Sequence, residues 1–212
     1  MADHVVDTNV LKVASHADPA SGWKKSEHVP PSQRRVVLNW LRAFAADAER
    51  RMVLDRKNGI RIEYRGERIP PSERMTPQDY GLQVYHRKLT MGQVAFVEVA
   101  YERDSTDNPA IVAETLASFD NSDKKMIAAH LRHKEDGYAC TIVNSCDTDW
   151  HEHEEMLKAH EVEVHHLMDT WCRDKVYEKY PERKPPDWVF TKWDTDKDEA
   201  AKKGAPAPRK GK

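Results

Sequence analysis

The sequence predicts an α/β fold, a three-layer α/β/α sandwich with a mostly parallel central sheet. Short apolar, β-rich runs alternate with amphipathic helical stretches over most of the 212 residues, which is the pattern of a parallel sheet covered by helices on both faces. Three of the apolar runs stop at or just before an acid, at Asp7, Asp55 and Asp147, and in such sheets the functional crevice lies outside the carboxyl ends of the strands. The length suits one domain with extensions, because two domains would each have a small core. The domain is expected over residues 1–180, with 181–212 as a flexible charged tail.

His4 to Asp7 reads as a strand ending in an acid, and Val10, Leu11, Val13 and Ala14 then follow a helical repeat. Between Asp18 and Pro31 the periodicity stops and Pro, Ser and Gly accumulate, so a loop is expected. Ser32 is the expected N-cap of a long helix marked by Val37, Leu41, Phe44, Ala48 and Met52. Met52 to Leu54 with Asp55 is a second short strand, and Asn58-Gly59 mark a tight turn before Ile60, Ile62, Glu63 and Tyr64. Thr76 opens a helix over Pro77 to Leu89, Val94 to Val99 is β-rich, and Glu102 to Pro109 is a polar loop. Ser122 is the expected cap of the next helix, which ends near Gly137 before the strand Tyr138 to Val143. A helix over about Trp150 to Ala159, a strand at Val162 to His165 and a last helix over Met168 to Tyr180 complete the domain. Beyond Pro181 the chain is rich in Pro, Lys, Asp and Ala, and Lys202 to Lys212 is too polar to fold alone. Trp188, Phe190 and Trp193 are placed to pack back on the domain or to meet a partner.

The formal net charge of −2 conceals an uneven distribution. Residues 21–90 carry 15 Lys/Arg against 8 Asp/Glu, and residues 91–199 carry 13 against 25. The first half therefore offers cations to a phosphate backbone. The candidates are Arg34, Arg35, Arg50, Arg51, Arg56, Lys57, Arg61 and Arg65, each of which could equally belong to a solvated helix face. No run approaches the roughly 20 apolar residues of a membrane span, and no charged leader precedes an apolar stretch, so a cytoplasmic location without membrane attachment is expected. Cys140, Cys146 and Cys172 form no CxxC pair and suggest neither a disulfide framework nor a zinc knuckle. The histidines 151, 153, 160, 165 and 166 include a His-x-His spacing, but side chains two apart on a helix diverge.

Carboxylates from distant strand ends converge only through the sheet, and once together they repel one another. A cation resolves that conflict. An all-oxygen ligand set selects Mg²⁺ or Mn²⁺ over zinc, and such ions also bind phosphates. Each acid has a simpler role too: Asp7 suits a helix N-cap, Asp123 or its rival Asp120 suits a helix start, and Asp147 and Asp149 could cap the following helix. Asp55 competes with Glu63.

Val5-Val6-Asp7-Thr8-Asn9-Val10-Leu11 resembles the first motif of PIN-domain nucleases, a strand-end Asp followed by Thr or Ser, Asn and the apolar start of a helix. Leu54-Asp55 through Asn58-Gly59-Ile60 to Ile62-Glu63-Tyr64 resembles a variant of the second motif. Ser122 to Ala129 resembles the third and Val143 to Trp150 the fourth, in the family's order, so the resemblance covers roughly residues 4–167. It implies that Asp7, Glu63, Asp123 and Asp147 are catalytic, metal-binding acids, with Asp149 as a further ligand or neighbour. Asn9 would orient the first Asp or its helix turn, and Thr8 would cap the helix or contact a metal-bound water. Lys124 stands where Arg is common, keeping the charge without the bidentate geometry. With Arg34, Arg35, Arg61 and Arg65 it forms the expected nucleic-acid contact set. Two insertions, before the second strand and between Tyr64 and Asp123, are longer than in the smallest PIN toxins. The resemblance further implies an Mg²⁺- or Mn²⁺-dependent endoribonuclease, a toxin of a toxin–antitoxin or defence system, with an antitoxin or other protein as partner and a homodimer as a compatible assembly. A DNA-directed nuclease and a weakly catalytic binding scaffold are the competing expectations.

Overall fold

In the computed structural model, which describes residues 3–102, 109, 114–116 and 118–199, five short strands form one all-parallel sheet. They are β1 (Asp3–Val6), β2 (Met52–Asp55), β3 (Val94–Val97), β4 (Cys140–Asn144) and β5 (Val164–His166), in the order β3-β2-β1-β4-β5. In the central strands Val5, Val6, Val53, Leu54, Ile142 and Val143 are wholly buried, because helices cover both faces and the strands have no wet side. Two runs of helix join β1 to β2 and β2 to β3: α1 (Thr8–Ala17) with α2 (Pro31–Ala46), and α3 (Gly59–Arg65) with α4 (Tyr80–Thr90). Helix α5 (Asn121–Glu135) carries the chain back across the sheet to β4, packing on β1, β2, β3 and β4. The short α6 (Asp149–Glu152) and α7 (Glu154–Ala159) lead to β5, and α8 (Asp169–Lys179) follows. Right-handed crossovers of opposite direction put the two sets of helices on opposite faces. The α/β sandwich expected from the sequence is the observed architecture.

The chain leaves β1 toward β2 on one side and leaves β4 toward β5 on the other. These strands are neighbours, with Val5 opposite Ile142 and Val6 opposite Val143, so the switch in direction opens a crevice beyond their carboxyl ends.

Several boundaries differ from expectation. Helix α2 starts at Pro31, whose fixed φ and missing N–H suit a first turn, and Ser32 lies inside the helix rather than capping it. After Asn58, at φ 67°, the chain turns directly into α3. Asp55 accepts the N–H groups of Gly59 and Ile60, both at 2.8 Å, so Ile60 and Tyr64 are buried by an i,i+4 helical spacing. Asp120, not Ser122, caps α5, accepting the Asp123 N–H at 2.9 Å. The helix expected over 150–159 is broken at His153 into α6 and α7. Most of the expected polar loop 102–109 lies outside the described residues, as does the basic run 202–212.

Residues 181–199, expected to be part of a loose tail, are tied to the domain. Asp174, buried on α8, accepts Trp188 Nε1 at 2.9 Å, the Thr191 N–H at 3.1 Å and Trp193 Nε1 at 2.9 Å. Asp194 accepts the Ser32 N–H, and Asp196 pairs with Arg34. Composition suggested a tail because few apolar residues are present; one buried carboxylate with three donors anchors the segment instead. Asp174→Ala leaves those donors without their shared acceptor. It is expected to free the segment, read as faster tryptic cleavage at Lys184 and red-shifted tryptophan emission.

Helices α1 and α4 meet at Gly81, where an added Cβ would stand 2.4 Å from the Leu11 carbonyl oxygen and 2.7 Å from Leu11 Cβ. The approach is locked by the Gly81 N–H donating to Ser15 Oγ and by that hydroxyl donating to the Leu11 carbonyl, both at 2.8 Å. Because the obstructing atoms are backbone, Gly81→Ala must separate the helices. A loss of about 1–3 kcal/mol is expected in urea unfolding.

Candidate metal centre

Asp7 is the first residue beyond β1 and the N-cap of α1. Its Oδ1 accepts the Asn9 N–H at 2.7 Å and its Oδ2 accepts Trp150 Nε1 at 3.0 Å. The cap reading and the ligand reading of Asp7 are therefore not exclusive, since one carboxylate does both jobs geometrically. The Asp7 N–H donates to the Val143 carbonyl of β4 at 3.0 Å, and Tyr64 OH donates to the Val6 carbonyl, so β4 and α3 both fix the end of β1.

Across the crevice, Asp147 sits on the turn after β4. Asn144 holds that turn, its Oδ1 accepting the Asp147 N–H at 3.2 Å and its Nδ2 donating to the Asp147 carbonyl at 2.8 Å. The Asp147 carboxylate accepts the Asp149 N–H at 3.0 Å through Oδ1 and Asn9 Nδ2 at 3.4 Å through Oδ2. Asp123 comes from the first turn of α5 and is only 4 % exposed. Its Oδ2 is buried without a hydrogen-bond partner, an unusual and costly condition for a carboxylate oxygen.

Oxygens of Asp7, Asp123 and Asp147 all lie within 4.8 Å of one another. This is the one group of three or more potential ligands found among the described residues. They border a cavity of about 280 Å³ that is also lined by Thr8, Asn9, Lys12, Glu63, Arg68, Asp120 and Ser122. Burial raises the Asp7 carboxyl above its usual range, against the lowering effect of its hydrogen bonds from Asn9 and Trp150. Burial and then the charge of Asp7 push Asp147 up to about 7, and burial with the charges of Asp7 and Asp147 pushes Asp123 up to about 10. These acids hold protons for want of a cation. An orphaned oxygen, three converging carboxylates and an all-oxygen donor set fit a hard divalent ion such as Mg²⁺ or Mn²⁺.

The remaining expectations divide. Thr8 lines the cavity with its hydroxyl buried and unpartnered rather than capping the helix. Asn9 steadies Asp147 by its side chain and Asp7 by its backbone. Glu63 reaches the rim but pairs with Lys125, and its rival Asp55 is consumed in capping α3. Asp149 supplies a backbone N–H, and its carboxylate is not among the converging three. Arg34 is buried against His16 and Asp196, and Arg35 pairs with Asp194 and Glu199. Both are thus engaged by the chain's own acids near the far end of α1, about 13 Å from Asp7 at 1.5 Å per helical residue. Arg61 and Arg65 lie one turn apart on α3, two residues either side of Glu63, and act electrostatically on Tyr85 rather than lining the cavity. Lys124 does not line it either, and the basic groups at the site are Lys12 and Arg68. Sequence reading missed Trp150 as a partner of Asp7 and Lys125 as a partner of Glu63. Only Asp120 left a local signal, an acid three residues before Asp123.

No known family model matches the chain, and comparisons with curated proteins and with solved structures return no significant match. The functional reading therefore rests on the site. Among the described residues no helix is long and apolar enough to cross a membrane.

Proposed function

We propose that the chain is a divalent-metal-dependent nuclease whose metal centre is Asp7, Asp123 and Asp147. The observation that carries the reading is the buried, unpartnered Asp123 oxygen facing two other raised carboxyls at the carboxyl edge of the sheet. A bound Mg²⁺ or Mn²⁺ would supply Lewis-acid stabilisation of charge on a phosphodiester and a water nucleophile at neutral pH. The chain's own contribution is rigidity. Asn9 and Trp150 hold the two oxygens of Asp7, Asn144 shapes the Asp147 turn, and the Asp120 cap fixes the first turn of α5 that presents Asp123. Lys12 and Arg68 add positive charge at the rim where a phosphate would approach.

RNA as the preferred substrate, endonucleolytic cleavage, a toxin or defence role, an antitoxin partner and a cytoplasmic setting come from the sequence resemblance and stand as parts of the proposal. The test is incubation of purified protein with labelled single-stranded RNA and DNA in Mg²⁺, Mn²⁺ or chelator. Internal cleavage of RNA in either metal, abolished by chelator, is the expected result. Preferential cleavage of DNA would move the proposal to a DNA-directed nuclease, and no cleavage of either would favour a nucleic-acid- or protein-binding scaffold.

A further inference from the structure

Five carboxylates, Asp7, Glu63, Asp120, Asp123 and Asp147, border the cavity. That is enough negative charge for one divalent ion or for a pair about 3.5–4 Å apart. The structure distributes these acids unequally. Asp120 directs Oδ1 to the Asp123 N–H as the cap of α5. Glu63, 23 % exposed by its side chain, is met from the protein interior by Lys125, whose side chain has no exposure at all. Lys125 Nζ donates to Glu63 Oε1. Lys125 sits on α5 two residues beyond Asp123, so the helix that presents a ligand to the centre also presents a fixed cation beside it. Only Asp7, Asp123 and Asp147 bring oxygens within 4.8 Å of one another, and the unpartnered Asp123 Oδ2 belongs to that group.

We infer that Lys125 is a built-in cation that holds Glu63 out of the ligand set and limits the centre to a single divalent ion. The inference rests on the metal-centre reading above. Lys125 is a positioning residue: it acts through Glu63. A buried ammonium partnered by a carboxylate cannot leave without stranding that charge, so the arrangement persists whether or not the centre is loaded. Removing the ammonium while keeping the volume, as in Lys125→Met, releases Glu63 toward the cavity and creates room for a second ion.

The full-length chain, freed of metal by chelation and dialysis, is titrated with Mn²⁺ by calorimetry and by electron paramagnetic resonance. The wild type is expected to bind one Mn²⁺ per chain with the six-line spectrum of an isolated ion. Folded Lys125→Met is expected to bind a second, with spin-coupled broadening. Glu63→Gln, which is independent of whether Lys125→Met folds, is expected to keep one Mn²⁺ within about threefold of the wild-type affinity, under 1.4 kcal/mol. Two coupled ions in the wild type, a single ion in folded Lys125→Met, or a more than tenfold loss of affinity in Glu63→Gln would each overturn the inference. Absence of Mn²⁺ binding to the wild type would instead overturn the metal-centre reading beneath it.

Discussion

Asp7→Asn and Asp147→Asn are each expected to lower metal-dependent RNA cleavage about 10²–10³-fold, measured as single-turnover rates on a labelled oligonucleotide. A divalent ion contributes several kcal/mol of charge stabilisation, and about 1.4 kcal/mol corresponds to each tenfold of rate. Neither substitution changes side-chain volume appreciably, but both lose an anionic oxygen from a cluster spanning 4.8 Å. Asp7→Asn also sets an amide against either the Asn9 N–H or Trp150 Nε1, since both carboxylate oxygens accept. Its loss should therefore exceed that of Trp150→Phe, which removes only one of those donors. Circular dichroism of each variant distinguishes a damaged centre from a damaged fold. Equal cleavage by wild type and both variants would remove these residues from the site.

Without metal, the protein is expected to lose stability as pH rises from 5 to 8, and Mn²⁺ is expected to restore it. Asp123 is raised to about 10 and Asp147 to about 7 in the folded chain, against roughly 3.9 for an unperturbed Asp. An acid with a raised folded value binds its proton more tightly when folded, so the folded state carries more protons between the two values. The associated stability is complete below about pH 4 and declines as pH rises, through about 7 for Asp147 and about 10 for Asp123. A divalent ion replaces those protons, so binding should tighten with pH and release protons, visible as a buffer-dependent calorimetric enthalpy. At about a hundredfold excess over Kd the stabilisation should reach about 2.7 kcal/mol. Asp123→Asn removes the charge whose burial is opposed. It should raise the melting temperature of the metal-free protein at pH 8 and abolish the Mn²⁺ response. A metal-free melting temperature that rises between pH 5 and 8 would contradict the assignment.

Much of the architecture was legible because burial leaves a period in the sequence. Val5-Val6, Val53-Leu54 and Ile142-Val143 read as continuous apolar runs because helices cover both faces of the sheet. Asp7 and Asp147 stood out because an acid directly after such a run has few simple explanations. The stretch Ile60 to Tyr64 misled because the preceding Asn-Gly suits a tight turn; its helix depends on Asp55 turning back to accept two backbone N–H groups. Counting cations misplaced the nucleic-acid contacts, since charge density does not reveal that Arg34 and Arg35 meet acids from residues 194–199.

The amino-acid pattern alone thus specified a parallel α/β sheet and strand-end acids, since hydrophobic period and residue order are local properties of the chain. Which acids share an ion-sized space is not local. Asp123 entered the group and Asp149 did not because α5 crosses back over the sheet to set its first turn above the β1–β4 crevice. Glu63 and Lys125, 62 residues apart, became a pair through the same packing, and that long-range convergence has no signature in sequence spacing.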